Sequence, residues 1–277
     1  MKVVFSLIFL FSWFLSAKVV VVSSIAPVSS LIKEIVKDRA EVVTVVEAGK
    51  SPHTYEPKVS LMKKIEKAKL YFGVGVEFER AWLDRFKSQN PNLKVIHLED
   101  NVTKILMMVK RRVAKEDPHI WLSPSNMKIM AKVILDSLKR VDSKNSPFYE
   151  KNYKKAVEKI TKTDKEIRKI LAKVPKRAKF MVFHPSWGYF AKEYHLMQVP
   201  IEIEGKEPKP AQLIKLIKLA KKENIKTIIT EPEFSSKSAK VLAKEIGAKV
   251  VKLSPLAPDW QETILKLAKT IAEGFES

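Results

Sequence analysis

The sequence predicts an α/β protein of two lobes, each a mostly parallel sheet flanked by helices, joined by one long linking helix. Three observations lead there. Short β-branched runs alternate with amphipathic stretches of helical period along most of the chain, the grammar of βαβ units. Residues 147–172 carry no glycine and no proline after Pro147, so they form one helix of about 39 Å, long enough to act as a strut. The 277 residues are 45% hydrophobic, which is enough apolar material for two cores.

In order, residues 18–22 read as a buried strand and 23–27 as a turn. The helix at 27–36 sets Val28, Leu31, Ile32 and Ile35 on one face, and Pro27 suits its first turn, where a missing N–H costs nothing. A strand at 42–47 and a loop at 48–52 lead to His53. The pattern repeats as helix 60–68, strand 70–74, helix 79–88 and strand 94–98. Residues 110–117 read as a charged stretch before His119, and 125–141 as a helix. Beyond the strut, strands at 178–183, 198–204, 227–230 and 249–253 alternate with helices at 187–194, 210–223, 236–246 and 260–275. The expected layout is a first lobe at 18–146, a linking helix at 147–174 and a second lobe at 175–277. Residues 1–17 read as a secretion signal: a basic start, an apolar run too short to span a membrane comfortably, and small residues at Ser16-Ala17.

The chain has no cysteine, so neither disulfides nor thiolate ligands are available, although a secreted protein would be permitted disulfides. Its formal net charge is +21, from 52 Lys and Arg against 31 Asp and Glu. The lysines are spread over many helical stretches and are not gathered with aromatics into a stripe, so nucleic acid is not an expected partner. No H-E-x-x-H run, G-x-S-x-G elbow or phosphate loop occurs, which argues against the common hydrolase and nucleotide chemistries. A hydrolytic enzyme built on zinc held by three histidines is the remaining enzymatic alternative.

Three of the five histidines lie in short polar settings next to predicted strand ends or prolines: His53 in Ser51-Pro52-His53-Thr54-Tyr55, His119 in Asp117-Pro118-His119-Ile120-Trp121, and His184 in Phe183-His184-Pro185-Ser186-Trp187. In parallel sheets ligands sit beyond the carboxyl ends of strands. Three neutral imidazoles converging there would hold zinc and leave a fourth position for oxygen.

These segments, with Glu207-Pro208-Lys209-Pro210, Thr230-Glu231-Pro232-Glu233-Phe234 and Leu253-Ser254-Pro255-Leu256, resemble the zinc and manganese solute-binding proteins of bacterial ATP-binding-cassette importers. The resemblance runs in order over the whole mature chain. It implies two α/β lobes joined by a long helix, a metal clamped between them, and a monomeric extracytoplasmic receptor, periplasmic or otherwise secreted, that hands its ion to a membrane permease. Carried over, it makes His53, His119 and His184 the metal ligands, the first two from one lobe and the third from the other. The family's fourth ligand is often an aspartate where this chain has Ser254, whose neutral hydroxyl is a poor zinc ligand beside carboxylate. Water is the first expectation there; Glu231 and Asp259 are the alternatives, with Glu207 and Ser254 also near the site. Glu207 and Glu231 would orient the imidazoles or, slightly favoured, pair with surface lysines. Histidine at 184, where manganese-carrying relatives tend to use a carboxylate, points to Zn2+ over Mn2+. The stretch 101–117 is short and lacks the His-rich loop of many zinc-carrying relatives. Because ligating imidazole must be deprotonated, affinity should weaken as pH falls below about 6.5.

Overall fold

The computed structural model describes residues 18–52, 54–109, 113–203, 205–235 and 237–275. The expected signal at 1–17 and His53 itself lie outside the described residues. The first lobe opens with β1 (Val19–Ile25), α1 (Ala26–Val36), β2 (Ala40–Val46), α2 (Val59–Lys67), β3 (Ala68–Gly73), α3 (Glu77–Gln89) and β4 (Lys94–His97). All four strands pair in parallel, in the order β2-β1-β3-β4. Central β1 is buried without alternation over its last five residues, as a strand covered on both faces should be.

The first strand extends beyond the expected 18–22. Ser23 and Ser24 continue it because their hydroxyls find buried acceptors: Ser23 donates to the Ile25 carbonyl (3.2 Å), and Ser24 bonds the carboxylate of Glu79. Two short strands, β5 (Leu106–Val109) and β6 (Val113–Glu116), pair antiparallel, and β6 lies within the part read as a charged stretch; residues 110–112 of that stretch lie outside the described residues. A 3-10 turn at Ile120–Leu122 leads into α4 (Pro124–Val141), whose first free N–H groups are met by Ser123 Oγ accepting from Asn126 N (3.1 Å).

The strut is α5 (Ser146–Ile170), 25 residues, or about 38 Å at helical rise. The second lobe follows with β7 (Lys179–Val182), α6 (Gly188–Glu193), β8 (Met197–Pro200), α7 (Pro210–Lys222), β9 (Thr227–Thr230), α8 (Lys237–Ile246), β10 (Lys249–Lys252) and α9 (Trp260–Glu273). Its sheet is parallel in the order β10-β9-β7-β8. The strand expected at 198–204 stops at Pro200. The chain there stays tied to the end of β7, with Ile201 N–H donating to Val182 (2.8 Å) and Glu202 N–H to Phe183 (3.1 Å). That bend carries Glu202 to the carboxyl edge of the sheet.

One apolar core runs from the first sheet through Tyr149, Ala156, Ile160 and Ile167 of α5 to Ile229, Leu253 and the inner face of α9. A smaller core around Met181, Phe183, Ile228 and Leu242 lies within the second lobe. The lobes are also pinned reciprocally: Trp121 Nε1 donates to the Pro255 carbonyl (2.7 Å), and Trp260 Nε1 donates to the Trp121 carbonyl (2.6 Å). Among the described residues no helix is long and apolar enough to cross a membrane.

Glu79 is buried at the start of α3, where its carboxylate accepts from the backbone N–H of Val74 and of Gly75, each at 3.0 Å. Desolvation dominates over these bonds and pushes its pKa from 4.5 up to about 7. Between those two values the folded chain holds a proton that the unfolded chain has released. The Glu79 contribution to stability therefore falls as pH rises from about 4.5 to 7 and is level above that. Urea unfolding of wild type and Glu79→Gln at pH 5 and pH 7.5 should show the wild type losing on the order of 1–3 kcal/mol relative to the variant at the higher pH. A difference that stays constant with pH would rule this origin out.

Candidate metal centre

His119 follows β6 by three residues. Asp117 anchors the turn between them, its N–H donating to the Ile105 carbonyl (2.8 Å). Its Oδ1 then accepts both the backbone N–H of His119 (2.9 Å) and the ring Nδ1 (2.7 Å). His184 stands two residues past β7. Its backbone N–H donates to Glu231 Oε2 (3.1 Å), and its Nδ1 meets Glu202 Oε1 at 2.9 Å. A carboxylate on Nδ1 favours the tautomer with hydrogen on that nitrogen, which turns Nε2 to the opposite side of each ring, the side a metal would approach.

Both rings are 7% exposed, and they face each other across the lobes with centroids 5.4 Å apart at 73°. With Zn–N bonds of about 2.0–2.1 Å and a tetrahedral angle, two imidazoles on one zinc have centroids about 5 Å apart. The observed separation is therefore close to that value. Phe234 stacks on His184 at 4.5 Å and Trp121 lies 5.3 Å from His119, giving the rings an apolar wall. The cavity beside them is about 90 Å³, large enough for an ion and a water molecule.

Ser51 and Pro52, the two residues before His53, line this same cavity. Among the described residues, which exclude His53, no three His, Cys, Asp or Glu side chains already close on one point. The expected carboxylates take other places. Glu231 does not pair with a surface lysine; it is buried and accepts from the His184 N–H and from Trp187 Nε1 (3.3 Å), fixing the turn that carries His184. Burial holds its proton up to a pKa of about 8. Glu207 accepts from Ser235 Oγ (2.7 Å) and Ser238 N–H (3.3 Å) at the start of α8. Asp259 caps α9, accepting from Glu262 N–H (2.9 Å), and lines a separate cavity. Ser254 hydrogen-bonds Glu233, which lines the cavity with His119 and His184.

The carboxylates bonded to the imidazole rings are thus Asp117 and Glu202, while Glu231 holds the backbone of His184 and Glu207 is bonded at the start of α8. Asp117 had a local signal, a carboxylate two residues before the histidine across a proline. Glu202 had none, being 18 residues from His184 in sequence.

Gly188, at the start of α6, allows the lobes to approach. A Cβ there would stand 2.4 Å from Asp117 Oδ2 and 3.1 Å from Gln198 Nε2. Gly188→Ala must displace the Asp117 carboxylate from His119. Removing such an outer partner weakens metal affinity by about 10–100-fold, and competitive zinc titration of this variant should read a loss in that range. Affinity within about twofold of wild type would show that Asp117 does not position His119.

Two α/β lobes on a shared helical spine, with a small cavity beyond the carboxyl ends of both sheets, define a two-lobed solute-binding protein. The chain belongs to the family described as ZnuA, zinc-uptake complex component A, periplasmic, which matches residues 21–274. This is a family of uptake components rather than enzymes. The chain is 33% identical over 255 residues to the high-affinity zinc uptake system protein ZnuA of Bacillus subtilis, covering 86% of this chain and 79% of that protein. It is 30% identical over 242 residues to the manganese ABC transporter substrate-binding lipoprotein PsaA of Streptococcus pneumoniae, covering 83% and 77%. A crystal structure of ZnuA superposes with a TM-score of 0.86 at 38% identity, over 93% of this chain and 99% of that one. A Mn-bound periplasmic metal-binding protein from Candidatus Liberibacter asiaticus matches with a TM-score of 0.79 at 26% identity, over 92% and 99%.

Proposed function

We propose that this protein is the extracytoplasmic receptor of an ATP-binding-cassette importer, that it binds zinc between its lobes through His53, His119 and His184, and that it hands the ion to a membrane permease. The observation that carries this reading is the facing pair of buried imidazoles, each with a carboxylate on Nδ1 and each from a different lobe. Ser51 and Pro52 bring the chain into the same cavity immediately before His53. We take the lobes as 18–146 and 175–277, with 147–174 as the link and 1–17 as the export signal. The continuous core along α5 limits closure to a small rocking motion, with the ion as the cross-link.

Nitrogen-rich coordination favours zinc, which also stands above manganese in the general affinity order. The manganese-named relatives make the opposite choice the one to test. Purified mature chain is titrated with zinc and manganese salts against a chromophoric chelator at equal free concentration. Zinc should displace manganese and bind one ion per chain. Manganese outcompeting zinc would overturn the metal assignment, and no binding of either at micromolar levels would overturn the receptor reading.

A further inference from the structure

We propose that Glu233 supplies the fourth ligand of the bound ion, taking over from the residue at 254; this rests on the receptor reading above. Glu233 lies three residues past β9 and lines the cavity together with His119 and His184. Its Oε1 is bonded by the hydroxyl of Ser254, while its Oε2 is buried and has no hydrogen-bond partner among the described residues. A buried carboxylate oxygen without a donor is costly unless a cation or proton meets it. An ion held by the two imidazoles lies in the cavity that Glu233 lines.

Ser254 has a different task. Its hydroxyl bonds Glu233 and also accepts from Leu256 N–H (3.1 Å). It holds the carboxylate at the edge of the cavity and is itself occupied. Asp259, Glu207 and Glu231 are each committed to backbone or side-chain donors elsewhere. Asp117 and Glu202 also bury an oxygen without a donor, but each holds an imidazole by Nδ1, on the side of the ring away from the ion. Glu233 holds neither ring and still faces the cavity. Since no three described side chains already close on one point, ligation requires His119, His184 and Glu233 to draw in on the ion as it binds.

With neutral imidazoles, a Glu233 carboxylate cancels one of the two positive charges of a bound divalent ion. It also adds a hard oxygen, which serves manganese relatively better than zinc. Removing the carboxylate should therefore widen the preference for zinc.

The test uses the mature chain and zinc and manganese salts. Glu233→Gln should weaken zinc binding by about 100-fold, the upper end of what an outer partner is worth, and manganese binding by more. The double variant Glu233→Gln/Ser254→Asp, which moves the carboxylate to the neighbouring position, should recover most of the zinc affinity. A crystal structure of the zinc-loaded wild type should place a Glu233 oxygen about 2.0–2.2 Å from the ion. Water in that position with Glu233 out of reach, or a Glu233→Gln protein with wild-type affinity, would overturn the inference while leaving the receptor reading intact, provided His184→Ala still loses the metal. A wild type that binds neither ion would remove both.

Discussion

His184→Ala is expected to lose more zinc affinity than the factor of about 100 that an outer partner is worth, because in the proposed site it removes a ligand and the link between lobes. His184 brings its ring to the cavity from the second lobe, whereas His119 reaches it from the first. The zinc-dependent rise in thermal stability should vanish with it. A ligand at about 100 times its Kd stabilises the folded state by about 2.7 kcal/mol. Wild type should show that gain on zinc addition and the variant should show none. Metal-free melting provides the control, since the substitution also leaves Glu202 without its partner in a buried position. An equal zinc-induced shift in both proteins would mean that the ion is not held at His184.

Trp121→Ala is expected to be the most destabilising single change in the metal-free protein. Trp121 is 1% exposed, and both its indole N–H and its carbonyl reach the second lobe, at Pro255 and Trp260. Truncating a buried tryptophan costs about 3–5 kcal/mol. For a protein of this length that lowers Tm by about 10 °C. Trp121→Phe keeps most of the packing and loses only the bond to Pro255, so its cost should be about 1–2 kcal/mol. Calorimetry on both variants separates the two contributions. Equal losses would place the effect in the hydrogen bond rather than in packing between the lobes.

Most of the elements were legible because helical and strand periodicity is a local property. The strut at 147–172 appears as Ser146–Ile170 followed by a 3-10 turn at Leu171–Lys173. The strand at 227–230 coincides with β9. The antiparallel pair of β5 and β6 was missed because its strands have four residues each and the sequence has no glycine or asparagine turn signal between them. Ser23 and Ser24 read as a turn because serine is a turn former. They are strand residues here because both hydroxyls find buried acceptors, Ser23 in the Ile25 carbonyl and Ser24 in Glu79, 55 positions further on. His119 and His184 were legible as candidates from their prolines and strand-end placement. The reading of Glu231 as a lysine partner failed because the strand end that carries it is covered by the 184–187 turn.

The sequence by itself determined the alternation of elements, the spine between two lobes, and histidine as the only nitrogen ligand for a soft or borderline ion in a chain without cysteine. Tertiary structure alone decided which carboxylate backs each ring, that Gly188 gives Asp117 room, and that Glu233 reaches the cavity. Periodicity acts over three or four residues, whereas these pairings follow from strand order and from where each strand ends. One strand ends at Pro200 and Glu202, two residues on, meets a histidine two residues past the end of the neighbouring strand, and no local pattern encodes that meeting.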